Sequence, residues 1–217
     1  MTEAEAIETR RSELMQAAVQ HVAFDGWSGQ ALIAGARDLG LSLAEAHNLF
    51  PGSARELLEA FSAEMDGRML DAMERQPLEE MRVREKVALG VRSRLELLEP
   101  YREEVQRGLS FLALPPNVPL GSRLVWRTCD AIWYAAGDTA TDYNYYTKRS
   151  LLAGVYSSTL LYWLSDRSEG YEATWDFLDR RLTNVLKIGG TLGKSIQRLM
   201  DAPTSFFARS RGFGPRV

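Results

Sequence analysis

The sequence predicts an all-α protein. Apolar residues recur at three- and four-residue spacing along nearly the whole chain, and no segment sustains strict apolar-polar alternation or the turn-punctuated rhythm of short strands. With 45% hydrophobic and 25% charged residues among 217, the composition suits one folded body with a substantial core.

The first helix is expected over about Thr9 to Phe24, with Leu14, Ala18, His21 and Val22 on one stripe, and it ends at Asp25-Gly26. Ser28 can cap a second over Gly29 to Leu39, and Gly40 breaks the chain before Leu41-Ser42-Leu43 opens a third that runs to Phe50. Pro51-Gly52 stops it. Three short helices with a glycine-containing turn between the second and third resemble the helix-turn-helix head of tetracycline-repressor-type proteins. Residues 1–52 are read as that head.

Ser53 is expected to cap a fourth helix whose stripe is Leu57, Leu58, Phe61, Met65, Met69 and Met73. Pro77 separates it from a fifth, with Val87, Ala88, Val91, Leu95 and Leu98, which Pro100 ends. A short helix from Arg102 to Leu112, a rigid loop from Leu114 to Pro119 and a helix from Leu120 to Ala136 follow. The loop Gly137 to Asp142 leads into a long apolar helix, Tyr143 to Leu164, and another spans Tyr171 to Ile188. Within the first of these, Ser150 to Ser165 is an uncharged run of 16 residues. A membrane span needs ~20, so this reads as a buried helix. Residues 53–187 form the body. Residues 188–217 form a third segment, where Ile188, Leu192, Ile196, Leu199 and Met200 share one face opposite Lys194, Gln197, Arg198 and Asp201, ahead of Phe206-Phe207 and a basic tail.

The residues offer little for catalysis. Cys129 is the sole cysteine, which excludes an internal disulfide and suits a reducing, cytoplasmic setting. His21 and His47 are the only histidines, and neither has the carboxylate three positions earlier that helical di-iron motifs require. They also give no local pattern for a base beside a nucleophile. Gly193-Lys194-Ser195 looks like the end of a phosphate loop, but the required first glycine is Ile188 and the segment follows a helix. No catalytic residue, metal or cofactor is expected. Glu3, Glu5, Glu8 and Glu13 do not suit a secretory or organellar leader.

A helix-turn-helix head raises the alternative of a ligand-responsive DNA-binding regulator. Charge opposes it. Residues 1–60 hold 4 Lys and Arg against 9 Asp and Glu, and Leu41 to Phe50 contains no Lys or Arg but carries Glu45. Phosphate neutralisation supplies nearly all non-specific DNA affinity, so the expectation is no nucleic-acid partner.

Nine of the 21 aromatic residues fall within 126–163. Trp126, Trp133, Tyr156 and Trp163 either form an aromatic core between two helices or line a long apolar cavity. Tyr145 and Tyr146, with Asp142, Asn144, Lys148 and Arg149, open a helix where successive positions cannot all face inward, and exposed tyrosine beside arginine suits a protein interface. The run Ala136-Gly137-Asp138-Thr139-Ala140-Thr141-Asp142-Tyr143-Asn144-Tyr145-Tyr146-Thr147-Lys148-Arg149 closely resembles the signature of the ubiquinone-biosynthesis lipid-binding family, the ninth coenzyme Q protein. Trp126 to Trp133 and Thr174 to Arg181 are similar to that family too, and the likeness covers roughly Arg10 to Lys187.

The resemblance implies a tetracycline-repressor-like fold without DNA binding. It also implies a non-enzymatic accessory role in ubiquinone biosynthesis, a deep pocket for an isoprenoid quinone precursor, homodimerisation, and partnership with the demethoxyubiquinone hydroxylase. Candidate pocket residues are Trp133, Leu152, Val155, Tyr156 and Leu160. The family's partner-binding residues fall on Asp142, Tyr145, Tyr146 and Arg149, with tryptophan common in the family where this chain has Tyr145. The absence of a leader is read as a bacterial member working in the cytoplasm, peripheral at the inner membrane. Residues 187–217 hold 6 Lys and Arg against 1 acidic residue. The segment either packs on its own body or a dimer mate, or docks on an anionic membrane through Ile188, Leu192, Lys194, Ile196, Arg198, Leu199, Phe206 and Phe207; its charge favours the membrane.

Overall fold

A computed structural model describes residues 2–139 and 143–185. Among them are nine α-helices and no strand. The first is α1, Glu3–Asp25, which starts six residues before the expected Thr9. Its start is a capping box: Thr2 Oγ1 accepts from the Glu5 amide, and the Glu5 carboxylate accepts from the Thr2 amide. Gly26, at φ +67°, ends it in a conformation that L side chains resist. α2, Gly29–Asp38, is capped by Ser28 as expected, and α3, Leu43–Leu49, by a Ser42–Glu45 capping box. Gly35 lets α1 and α2 meet closely, since a Cβ there would stand 2.4 Å from the Ala18 amide nitrogen. His21, expected on the buried stripe, instead pairs at the half-exposed edge with Asp38 at 2.6 Å.

α4, Ser53–Glu74, buries the predicted stripe from Leu57 to Met73. Its start differs from expectation: Ser53 makes no cap, and the Gly52 amide donates to the Glu56 carboxylate at 2.8 Å. Arg11 then ties head to body, donating to Leu49 O at 2.6 Å and pairing with Glu56 at 2.7 Å. The turn at residue 52 is thus bridged by side chains, and one core runs from Leu14 of the head to Leu182 of the last helix.

α5, Val83–Leu97, buries Val87, Val91 and Leu95, and a tight turn at Glu99–Tyr101 joins it to α6, Arg102–Leu112. α7, Val118–Ala135, and α8, Tyr143–Ser165, pack together, and α9 covers 172–185. The uncharged half of α8 is buried on one face only; Leu161 is 60% exposed while Trp163 is fully buried. Arg102 holds the α8 end by donating to Trp163 O and Leu164 O, both at 2.8 Å, and to Asp166 O at 3.0 Å. A cation there satisfies carbonyls that a helix C-terminus leaves unpaired. Asp166 begins the next helix, accepting from Ser168 and Thr174 through both amides and both hydroxyls. Burial alone would raise its pKa, but those four hydrogen bonds hold it down to about 2. Among the described residues, no helix is long and apolar enough to cross a membrane.

Candidate functional site

The end of α7 and the start of α8 form a corner, and the described side chains there sort by depth. Arg149 is expected on a surface but is only 3% exposed. Its Nη1 donates to Asp138 Oδ2 at 3.0 Å and its Nε to Asp130 Oδ1, and its guanidinium lies 3.4 Å from the Tyr145 ring centre. Lys148 completes the set, 2.6 Å from Asp138 Oδ1. Two carboxylates and two cations balance, which is the condition for burying charge. Arg149 therefore positions the corner from beneath. Burial works against its charge, but the bonds to Asp130 and Asp138 prevail and raise its pKa above the usual arginine value.

What does face outward is aromatic. Tyr146 is 61% exposed, its ring 5.1 Å from Tyr145 and 6.2 Å from Trp126. Tyr145 is half-buried, its hydroxyl donating to Asp130 at 3.0 Å, and that hydrogen bond is the first cause of its raised pKa. Asp142 lies outside the described residues, as do Ile188, Leu192, Lys194, Ile196, Arg198, Leu199, Phe206 and Phe207.

The five candidate pocket residues divide between two cavities. Trp133, Leu152 and Val155 line an apolar space of about 270 Å³ closed by Val83 and Val87 of α5, Leu151 of α8, and Leu182 and Val185 of α9. Trp133 is oriented there by its indole donating to Lys148 O at 3.1 Å. Tyr156 and Leu160 face a second space of about 90 Å³ among α4, α5, α6 and α7, where Phe61, Leu98, Leu109 and Leu124 supply apolar walls. Sequence reasoning misses the valines of α5 and the leucine and valine of α9, because they read as ordinary stripe residues. Arg94 in the second cavity has a visible signal: a charge within the apolar stripe Val87, Val91, Leu95 and Leu98.

Little here is built for nucleophilic chemistry. Burial pushes the Cys129 thiol up to about 12, so it stays protonated at neutral pH. Among the described residues no three His, Cys, Asp or Glu side chains are grouped to hold a metal ion.

Comparison with known proteins bears on the same elements. The COQ9 family profile matches residues 118–189, which include α7, α8 and α9. The chain is similar to ubiquinone biosynthesis protein COQ9, mitochondrial, of Rattus norvegicus, with 36% identity over 194 residues, 86% of this chain and 62% of that protein. The Homo sapiens protein of that name is 35% identical over 86% of this chain and 61% of its own length, and that of Drosophila melanogaster 30% over 94% and 62%. The chain thus spans about three fifths of the length of these curated relatives. In three dimensions it is similar to the crystal structure of a TetR transcriptional regulator from Nitrosomonas europaea, with a TM-score of 0.66 and 26% identity, over 82% of this chain and 98% of that one.

Proposed function

The chain belongs to the COQ9 family, and on that premise we propose that it serves ubiquinone biosynthesis as a lipid-binding accessory protein, not as an enzyme. Its ligand would be an isoprenoid quinone precursor, presented at a membrane surface to the hydroxylase that modifies it. One observation carries the reading: α8 lines the larger apolar cavity with Leu151, Leu152 and Val155, and the same helix carries the Tyr145–Tyr146 cluster near its start. A partner seated on the cluster would sit one helix-length or less from the ligand. Reversible membrane contact is assigned to the amphipathic pattern of 188–207.

The regulator reading, which the likeness to the Nitrosomonas europaea regulator invites, meets an obstacle on α3. Its exposed residues include Leu43, Glu45, His47 and Asn48, with no Lys or Arg to neutralise phosphate. Native mass spectrometry of the purified protein, followed by lipid extraction, is the test. A co-purifying isoprenoid is expected; an empty protein that instead binds duplex DNA with steep salt dependence would overturn the proposal.

A further inference from the structure

The smaller cavity contains a charge that the bundle does not fully use. Arg94 of α5 is 3% exposed. Its Nη2 donates to Ser62 O at 3.2 Å and to Ser62 Oγ at 3.3 Å, and its Nε lies 3.1 Å from Asp66 Oδ1. Asp66 also accepts from Arg127 Nε at 2.9 Å and from Thr128 Oγ1 at 2.7 Å. Neither Nη1 nor Nε of Arg94 makes a hydrogen bond of good geometry among the described residues, although Nε keeps its ion pair with Asp66 and the Tyr156 hydroxyl lies near enough for Arg94 to favour its ionised form. A donor buried without a partner is costly and uncommon, so such a group in a cavity wall calls for an acceptor. The remaining walls, Phe61, Leu98, Leu109, Leu124 and Leu160, are apolar, and Tyr156 closes the space beside Arg94. At about 90 Å³ the space holds a compact group. That is the volume of roughly three waters.

We propose that Arg94 is a specificity-determining residue: Nη1 donates to a neutral oxygen, carbonyl or phenolic, on the head of a ligand whose apolar part lies against the surrounding leucines. The inference rests on the lipid-binding reading above and adds the head group to it. A neutral oxygen fits better than a carboxylate because the two buried charges, Arg94 and Asp66, already form a pair, while the second cation on Asp66, Arg127, is 36% exposed and screened by solvent, so a carboxylate would have to be desolvated without a buried cation of its own.

Equilibrium dialysis of the full chain against three probes of equal tail length tests this: an alkylbenzoquinone, the corresponding alkylbenzene and an alkanoate. The quinone is expected to bind about ten- to a hundredfold more tightly than the hydrocarbon, the range of a hydrogen bond to a charged group. The alkanoate should bind more weakly than the quinone. Arg94→Met should remove the quinone's advantage over the hydrocarbon. Arg94→Lys keeps a positive charge beside Asp66 but withdraws the Nη1 donor, so it serves where the methionine variant does not fold. Equal binding of quinone and hydrocarbon by the unaltered protein means that water or the Tyr156 hydroxyl satisfies Arg94, and it overturns the proposal while the lipid-binding reading stands. A preference for the alkanoate, or a quinone preference that survives both substitutions, also overturns it. If no probe binds, the lipid-binding reading falls and takes this one with it.

Discussion

Two charged networks lean on α7, and they differ in how completely they are closed. At the α7–α8 corner, Asp130 and Asp138 face Lys148 and Arg149, with Tyr145 as a further donor. Inside the bundle, the single carboxylate of Asp66 takes contacts from Arg94, Arg127 and Thr128, yet Arg94 keeps an idle nitrogen. A closed network fixes geometry; an open one retains capacity to bind. The corner therefore reads as a scaffold for the aromatic surface above it, and the interior network as part of a recognition surface.

Stability measurements can break that contrast. Arg149→Met takes one of its cations from the buried Asp138, and losing one partner of a buried pair typically costs about 3–5 kcal/mol. Arg94→Met should cost less, about 1–3 kcal/mol, because Asp66 keeps Arg127 and Thr128. Urea denaturation of both variants decides the order, and the reverse ranking would dissolve the distinction between scaffold and recognition site.

Asp166 sharpens the contrast as a third, fully satisfied carboxylate. Its pKa in the folded state is about 2, below the ordinary 3.8, so its stabilisation is complete above about pH 4 and is lost as the pH falls toward 2. Asp166→Asn should lower stability at neutral pH by about 1–3 kcal/mol and flatten the acid limb of a stability–pH profile between about pH 4 and 2. An unchanged acid limb would mean that the hydrogen bonds from Ser168 and Thr174 do not favour the ionised form.

The smallest expected change in stability belongs to the exposed face. Tyr146→Ala should shift the unfolding free energy by no more than about 0.5 kcal/mol, as a surface substitution does. Association with the hydroxylase, followed by titration of the purified pair, should weaken. A large loss of stability would place Tyr146 in the packing rather than at an interface.

The helical architecture could be read from the chain because burial imposes a period: Leu57, Leu58, Phe61, Met65, Met69 and Met73 are all buried, as their spacing requires. Ends were less legible. The Thr2–Glu5 capping box extends α1 beyond the apolar stripe that marked it, and Ser53 yields its expected role to Glu56, three residues on. Depth of charge was the least legible. Arg149 resembles a surface residue until α7 and α8 pack and bring Asp130 and Asp138 against it. Of the pocket candidates, α8 contributes to both cavities, and which residue faces which depends on packing partners from α5, α6 and α9 that periodicity alone does not name.

Gly35 has a consequence at the level of inheritance. With the Ala18 backbone 2.4 Å from where a Cβ would be built, the contact between α1 and α2 rests on an atom that only glycine lacks. Every missense change in that codon adds that atom, and it meets backbone rather than a flexible side chain that could give way. The position offers selection no conservative alternative, so a lineage can alter it only by rebuilding the backbone of Ala17 and Ala18 at the same time.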